Sequence, residues 1–211
     1  MSLLLPGLDD YLLSVLPPRD AVLARMEAEA ERRSIPIVGP AVGRLLAQYA
    51  RLLGARRVFE LGSAIGYSTL WLARAVGEGG HVFFTDGSQA NADEARGYLA
   101  EAGVADRVTV LVGDALTRLR ETEGEFDLIF NDVDKEGYPD VARQAVPRLR
   151  AGGLLITDNV LWDGWLRQPS CEDDAETAAI RAFNRMLYEH PDLETTIVPL
   201  RDGLAVARKV R

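Results

Sequence analysis

The sequence predicts an α/β fold, a largely parallel sheet with helices on both faces. Three observations predict it. From residue 57 onward, short apolar runs alternate with stretches of helical periodicity, the pattern of strands joined by crossover helices. The first five runs each end on an acid, Glu60, Asp86, Asp114, Asp132 or Asp158, so one edge of the sheet collects carboxylates. The last two runs, "LETTIVPL" and "GLAVARKV", are separated only by "RDG", the spacing of an antiparallel hairpin.

Residues 8 to 53 read as helices interrupted by Pro17–Pro18 and by "IPIVGP". "AVLARMEAEAERR" carries charge on most faces and is expected to be largely exposed, whereas "AVGRLLAQYARLLG" is amphipathic and stops at Gly54. "RRVFELG" is the first strand, and "GYSTLWLARAVG" the helix after it. "HVFFTD" follows as a strand, then a helix opened by Ser88 as N-cap. "RVTVLVGD" and "FDLIFND" are strands around the short helix "ALTRLRET". "YPDVARQAVPRLRAGG" is read as a helix closed by paired glycines, "GLLITDN" as the fifth strand, and "DDAETAAIRAFNRMLYEH" as the last helix.

The 211 residues, 47% hydrophobic, suit a single domain spanning 1–211. Its helices at 1–53 would cover a site on the core at 54–211. A net charge of −8 disfavours a nucleic-acid backbone as main partner. One cysteine, Cys171, excludes an intramolecular disulfide and reads as an incidental loop residue. No basic leader and no bilayer-length apolar run is present, so the expected location is the cytoplasm, with no membrane partner. His81 opens a strand and His190 closes a helix, and neither asks for a chemical role.

In a parallel sheet, ligands sit beyond the carboxyl ends of the strands. "FELGSAIGYST" joins the first strand to its helix. Its spacing, Gly62-x-x-x-Gly66, is not the dinucleotide fingerprint, and Glu60 would repel a pyrophosphate. Glu60 suits a cationic ligand end instead. Asp86 could accept both hydroxyls of a ribose, and Asp114 or the Ala115 backbone could meet an adenine edge. An adenosine bearing positive charge is S-adenosylmethionine. Asp132, Asp158 and Asn159 end neighbouring strands and form a hard-oxygen set suited to Mg²⁺, Ca²⁺ or Mn²⁺. Asp158 and Asn159 would serve equally well as turn residues. Lys135 lies in the acidic loop "DVDKEGYPD". A nearby dication would favour its neutral form and the acids its charged form; as a plain surface residue it would pair with Glu136. Free phenol titrates near ~10, and a cation beside an acceptor hydroxyl brings that value down.

"ELGSAIGYS", "TD" at Thr85–Asp86, "GDAL", "DVDKEGY", "TDNVLWDG" and "DGLAVARK", in that order from about residue 35, resemble the cation-dependent class I O-methyltransferases of the catechol and caffeoyl-coenzyme A type. The 26-residue interval from Asp132 to Asp158 agrees with the resemblance. It implies a Rossmann-like seven-stranded sheet whose last strand is antiparallel. It implies that Glu60, Gly62 and Ser68 meet the methionine portion of S-adenosylmethionine, Asp86 the ribose and Ala115 the adenine. Val38 and Gly39 would cover the cofactor, with Asp132 beside it. Asp132, Asp158 and Asn159 would bind the divalent cation, Lys135 would be the general base, and Trp162 would border the acceptor or pack over a strand end. The acceptor would be a small hydroxylated aromatic molecule, and the assembly a homodimer. Three departures stand out: Asn131 and Val133 flank the metal aspartate where an apolar residue and alanine are usual, and Ser63–Ala64–Ile65 replaces a hydroxyl-rich loop centre. Rival readings are methylation of a hydroxylated tRNA base and a non-catalytic adenosine-binding or dimer-interaction module.

Overall fold

A computed structural model describes residues 7–162, 166 and 173–211. Cys171 and most of the segment after Trp162 lie outside the described residues. Three helices open the chain: α1 (Leu8–Ser14), α2 (Ala21–Arg33) and α3 (Gly39–Leu53). Then β1 (Arg57–Leu61), α4 (Tyr67–Val76), β2 (His81–Asp86), α5 (Gln89–Glu101), β3 (Val108–Val112), α6 (Ala115–Glu121), β4 (Phe126–Asn131), α7 (Tyr138–Ala145), β5 (Leu149–Thr157), α8 (Ala175–Glu189), β6 (Leu193–Val198) and β7 (Leu204–Lys209) follow.

The sheet has seven strands in the order β3-β2-β1-β4-β5-β7-β6. β1 to β5 pair in parallel, and β7 runs antiparallel between β5 and β6. This is the fold expected from the sequence. Successive strand residues point to opposite faces, so the core is double. Val58, Leu128, Phe130 and Ile156 pack with α2, α3 and α4 on one face. Phe59, Leu61, Ile129 and Leu155 pack with α7 and α8 on the other.

One expectation gains detail and one needs correction: seven of the thirteen residues of α2 are exposed, as expected. α2 buries Val22, Leu23, Met26 and Ala30, one helical stripe that its many charges mask in the sequence. α7 ends at Ala145, and Gly152 and Gly153 lie inside β5 instead of closing the helix. A Cβ at Gly153 would stand only 3.0 Å from the Asp127 carbonyl oxygen, and the β4–β5 pairing shifts register just there.

Asp127 locks the opposite edge of the sheet. Its Oδ2 accepts from the backbone N–H groups of Arg56 and Arg57, both at 2.8 Å, while Arg150 Nε donates to Oδ1 at 2.5 Å.

Candidate functional site

Register builds the site. Leu61 lies opposite Asn131, and Asn131 opposite Thr157. The next residues along these three strands, Gly62, Asp132 and Asp158, therefore leave the sheet side by side. Asp132 N–H donates to Leu61 O at 2.8 Å, and Asp158 N–H to Asn131 O at 3.1 Å. Gly62 has φ +80°, and a Cβ there would lie 2.6 Å from Asp132 O. Only glycine lets the two loops touch, since that conformation and that gap both exclude a side chain.

The β6–β7 turn reaches the same edge because β7 is antiparallel. Leu161 N–H donates to Asp202 O at 2.7 Å, and Val160 N–H to Gly203 O at 3.0 Å. Asn159, with φ +58°, takes the left-handed conformation that Asn tolerates. Its Nδ2 donates to Asp202 Oδ2 at 2.6 Å, and its Oδ1 accepts from Lys135 Nζ at 2.5 Å. Lys135, at the start of a single 3₁₀ turn, also donates to Asp132 Oδ1 at 3.1 Å. Asp158 Oδ1 accepts from the Asn159 N–H at 2.9 Å, and Tyr138 Oη donates to Asp158 O at 2.8 Å.

Charge is crowded here. Burial pushes the Asp158 carboxyl up to about 7, and the neighbouring Asp132 and Asp202 push the same way. Burial also raises Asp132, against the pull of Lys135. One carboxylate, Asp132, and the Asn159 amide thus meet at one ammonium, with the Asp158 carboxyl nearby and a further carboxylate, Asp202, behind the amide. Asp202 Oδ1 is buried without a hydrogen-bond partner among the described residues. Among the described residues no three His, Cys, Asp or Glu side chains form a metal cluster by themselves. The set that could hold a hard cation is Asp132, Asp158 and the Asn159 amide oxygen, and the lysine ammonium marks where two of these donors converge.

One cavity of about 1400 Å³ joins this cluster to the glycine loop. Val38, Gly39, Gly62, Ser68, Asp86, Ala115, Asp132, Lys135, Asp158 and Asn159 all line it. Asp86 Oδ2 accepts from the Ala64 N–H at 3.0 Å, and its Oδ1 from the Ser88 N–H and the Asn91 amide. Asp114 accepts from the Thr117 N–H at 2.8 Å and caps α6, which begins at Ala115.

Glu60 and Trp162 stand outside this lining. Glu60 is fully buried beneath the glycine loop, where Thr69 Oγ1 donates to its Oε2. Burial raises its carboxyl to about 7, while the nearby Ser68, Thr69 and Ser63 hydroxyls pull it down only partly. The Trp162 ring lies 5.9 Å from Lys135 Nζ.

Sequence reasoning missed several lining residues, three of which bear on the acidic cluster and the glycine loop. Asp202 and Arg201 looked like ordinary turn residues of the hairpin. Tyr67 follows the glycine loop, and its Oη donates to Glu27 Oε1 at 2.7 Å, tying α4 to α2.

The chain matches the O-methyltransferase family over residues 20–210. It is 38% identical over 210 residues to the catechol O-methyltransferase of Mycobacterium tuberculosis, covering 96% of this chain and 94% of that one. The O-methyltransferase of Streptomyces achromogenes involved in tomaymycin synthesis, solved in complex with SAM, superimposes with a TM-score of 0.88 at 31% identity, covering 97% of this chain and 96% of that one. The O-methyltransferase of Bacillus cereus, solved in complex with SAH, gives 0.87 at 31% identity, covering 96% of this chain and 97% of that one.

Proposed function

The chain belongs to the O-methyltransferase family and is an enzyme of that type; from that premise we propose that it transfers the methyl group of S-adenosylmethionine to a hydroxyl of a small catechol-like or phenolic acceptor, using a divalent cation. The observation that carries the reading is the convergence of Asp132 Oδ1 and Asn159 Oδ1 on one cationic nitrogen, at 3.1 and 2.5 Å, with the Asp158 carboxyl beside them. Asp132, Asp158 and Asn159 hold the cation, Mg²⁺ by its demand for hard oxygen donors, with Ca²⁺ or Mn²⁺ fitting the same set. When bound, the cation would supply Lewis-acid stabilisation of an acceptor oxyanion and so favour loss of its proton.

The chain's own residues do the rest. Lys135, released from Asp132 Oδ1 and Asn159 Oδ1, first gives one ammonium proton to solvent and then, as the neutral amine, takes the acceptor's proton on Nζ. The acceptor oxygen then attacks the sulfonium methyl from behind. The O–CH₃ bond forms as the S–CH₃ bond breaks, and its electron pair stays on sulfur, which leaves as a neutral thioether. Gly62, Ser68, Asp86 and Ala115, with Val38 as cover, hold the cofactor, and Glu60 favours its cationic end from below the loop. Holding the two reactants near contact removes much of the entropic barrier. Trp162 borders the acceptor from the Lys135 side.

Charge supports a small acceptor. Nine lining side chains are Asp or Glu, against the three cations Arg19, Lys135 and Arg201. Such a cavity repels a polyphosphate chain or a nucleic-acid backbone and admits a neutral or amine-bearing aromatic ring. No helix among the described residues is long and apolar enough to cross a membrane. The cytoplasmic homodimer expected from the sequence belongs to the same proposal, and light scattering on the purified chain tests its stoichiometry. The deciding experiment incubates the protein with methyl-labelled cofactor and Mg²⁺ against catechols, hydroxycinnamoyl thioesters, flavonoids and bulk tRNA. Label in a catechol or simple phenol is expected, and label only in tRNA would overturn the acceptor class.

A further inference from the structure

We infer that Asp202 is a positioning residue that turns the Asn159 amide so that its carbonyl oxygen, and not its NH₂ group, faces the cation position; this rests on the cation site proposed above. The two ends of a carboxamide are nearly equal in size, so packing alone does not choose between them. Partners choose. Asn159 is clamped between opposite charges, with Nδ2 donating to Asp202 Oδ2 at 2.6 Å and Oδ1 accepting from Lys135 Nζ at 2.5 Å. A flipped amide would set its NH₂ against the ammonium and its oxygen against the carboxylate, two repulsive contacts in place of two charge-assisted hydrogen bonds.

The clamp does not depend on Lys135 alone. Once Lys135 gives up Asn159 Oδ1 to act on an acceptor, Asp202 still holds the amide through its Nδ2. Asp202 is itself fixed, because its backbone oxygen accepts from the Leu161 N–H at 2.7 Å, two residues past Asn159. Its second oxygen, Oδ1, is buried with no hydrogen-bond partner among the described residues. Burying a carboxylate oxygen unpaired is unfavourable, and a turn residue with no further duty would not need it. Groups that orient a ligand from behind the inner sphere typically change metal affinity by about 10- to 100-fold when removed.

The test is direct Mn²⁺ binding to the full chain, followed by titration calorimetry and by the electron paramagnetic resonance of free Mn²⁺, with S-adenosylhomocysteine affinity and the thermal unfolding midpoint as controls. Asp202→Ala should lose about 10- to 100-fold in Mn²⁺ affinity and keep its S-adenosylhomocysteine affinity. Asp202→Asn, whose carbonyl can still accept from Asn159, should fall between the two. In an Asn159→Asp background the residue at 159 has two equivalent oxygens and no orientation to fix, so adding Asp202→Ala should cause no further loss. An Asp202→Ala chain that binds Mn²⁺ as tightly as the unaltered chain would overturn the role while leaving the cation site standing. An unaltered chain that binds no Mn²⁺ would remove the site and this role together. A loss that persists undiminished in the Asn159→Asp background would also overturn it, since it would show an effect not routed through the amide.

Discussion

The ammonium of Lys135 donates to Asn159 Oδ1 at 2.5 Å, across 24 positions of chain and from a different strand end. The lysine therefore bridges the ends of β4 and β5, joining Asp132 Oδ1 to Asn159 Oδ1. Lys135→Ala should lower turnover by about 10²- to 10⁴-fold, the usual contribution of a positioned base, and change S-adenosylmethionine affinity less than about twofold, because the residues proposed to hold the cofactor, Val38, Gly62, Ser68, Asp86 and Ala115, lie on other elements. Stopped-flow turnover and equilibrium cofactor binding check this. Equal losses in both would remove the base assignment.

Asp158 makes stability depend on pH in a way a cation should cancel. Its carboxyl sits at about 7 in the fold and near ~4 when unfolded. Between those values the folded chain holds a proton that the unfolded chain releases, so stability is greatest at the acid side and falls as pH rises through about 7. Urea unfolding with EDTA should show a lower midpoint at pH 7.5 than at pH 5. With saturating Mg²⁺ that decline should shrink, since the cation favours the carboxylate. Burial pushes the His81 imidazole down and tilts the curve the other way, but equally with and without Mg²⁺. Identical pH slopes in both conditions would sink the metal assignment of Asp158.

Glu60 gives a separate pH signature in cofactor binding. Below about 7 it is protonated in the free protein and offers no charge to a cationic cofactor. S-adenosylmethionine affinity should rise from pH 5.5 to 8, and Glu60→Gln should flatten that rise. Calorimetry at several pH values reads the outcome; an unchanged slope in Glu60→Gln would assign the effect elsewhere.

Asn131 is fully buried, and among the described residues neither its Oδ1 nor its Nδ2 has a hydrogen-bond partner; the Thr157 hydroxyl on the paired strand lacks one too. An unpaired buried polar group costs about 1–3 kcal/mol. Asn131→Leu should raise stability by about that much in urea unfolding while leaving cofactor affinity intact. A fall in stability would mean that the amide is satisfied in solution.

Much of this molecule was legible before its structure. Strand ends are readable because an apolar run stopping on an acid has one meaning at the edge of a parallel sheet, and Ser88 caps α5 through the Asn91 N–H as its position suggested. Asp132, Asp158 and Asn159 were readable for the same reason. Asp202 was not. In sequence it is a hairpin residue, and its place behind Asn159 exists only because β7 inserts between β5 and β6. The depth of Glu60 was hidden as well, since strand position gives direction but not how far the loop above it folds over. Gly152 and Gly153 misled because paired glycines close helices more often than they bend a strand.

The antiparallel hairpin also sets an order of assembly. Asp202 is synthesised 43 residues after the amide it contacts, and translation adds about 5–20 residues each second. For a few seconds the nascent chain carries Asn159 without its anchor and β5 with one edge bare. A ribosome-bound intermediate stalled within that interval should present the glycine loop and the ends of β1 to β5 before Asp202 reaches Asn159.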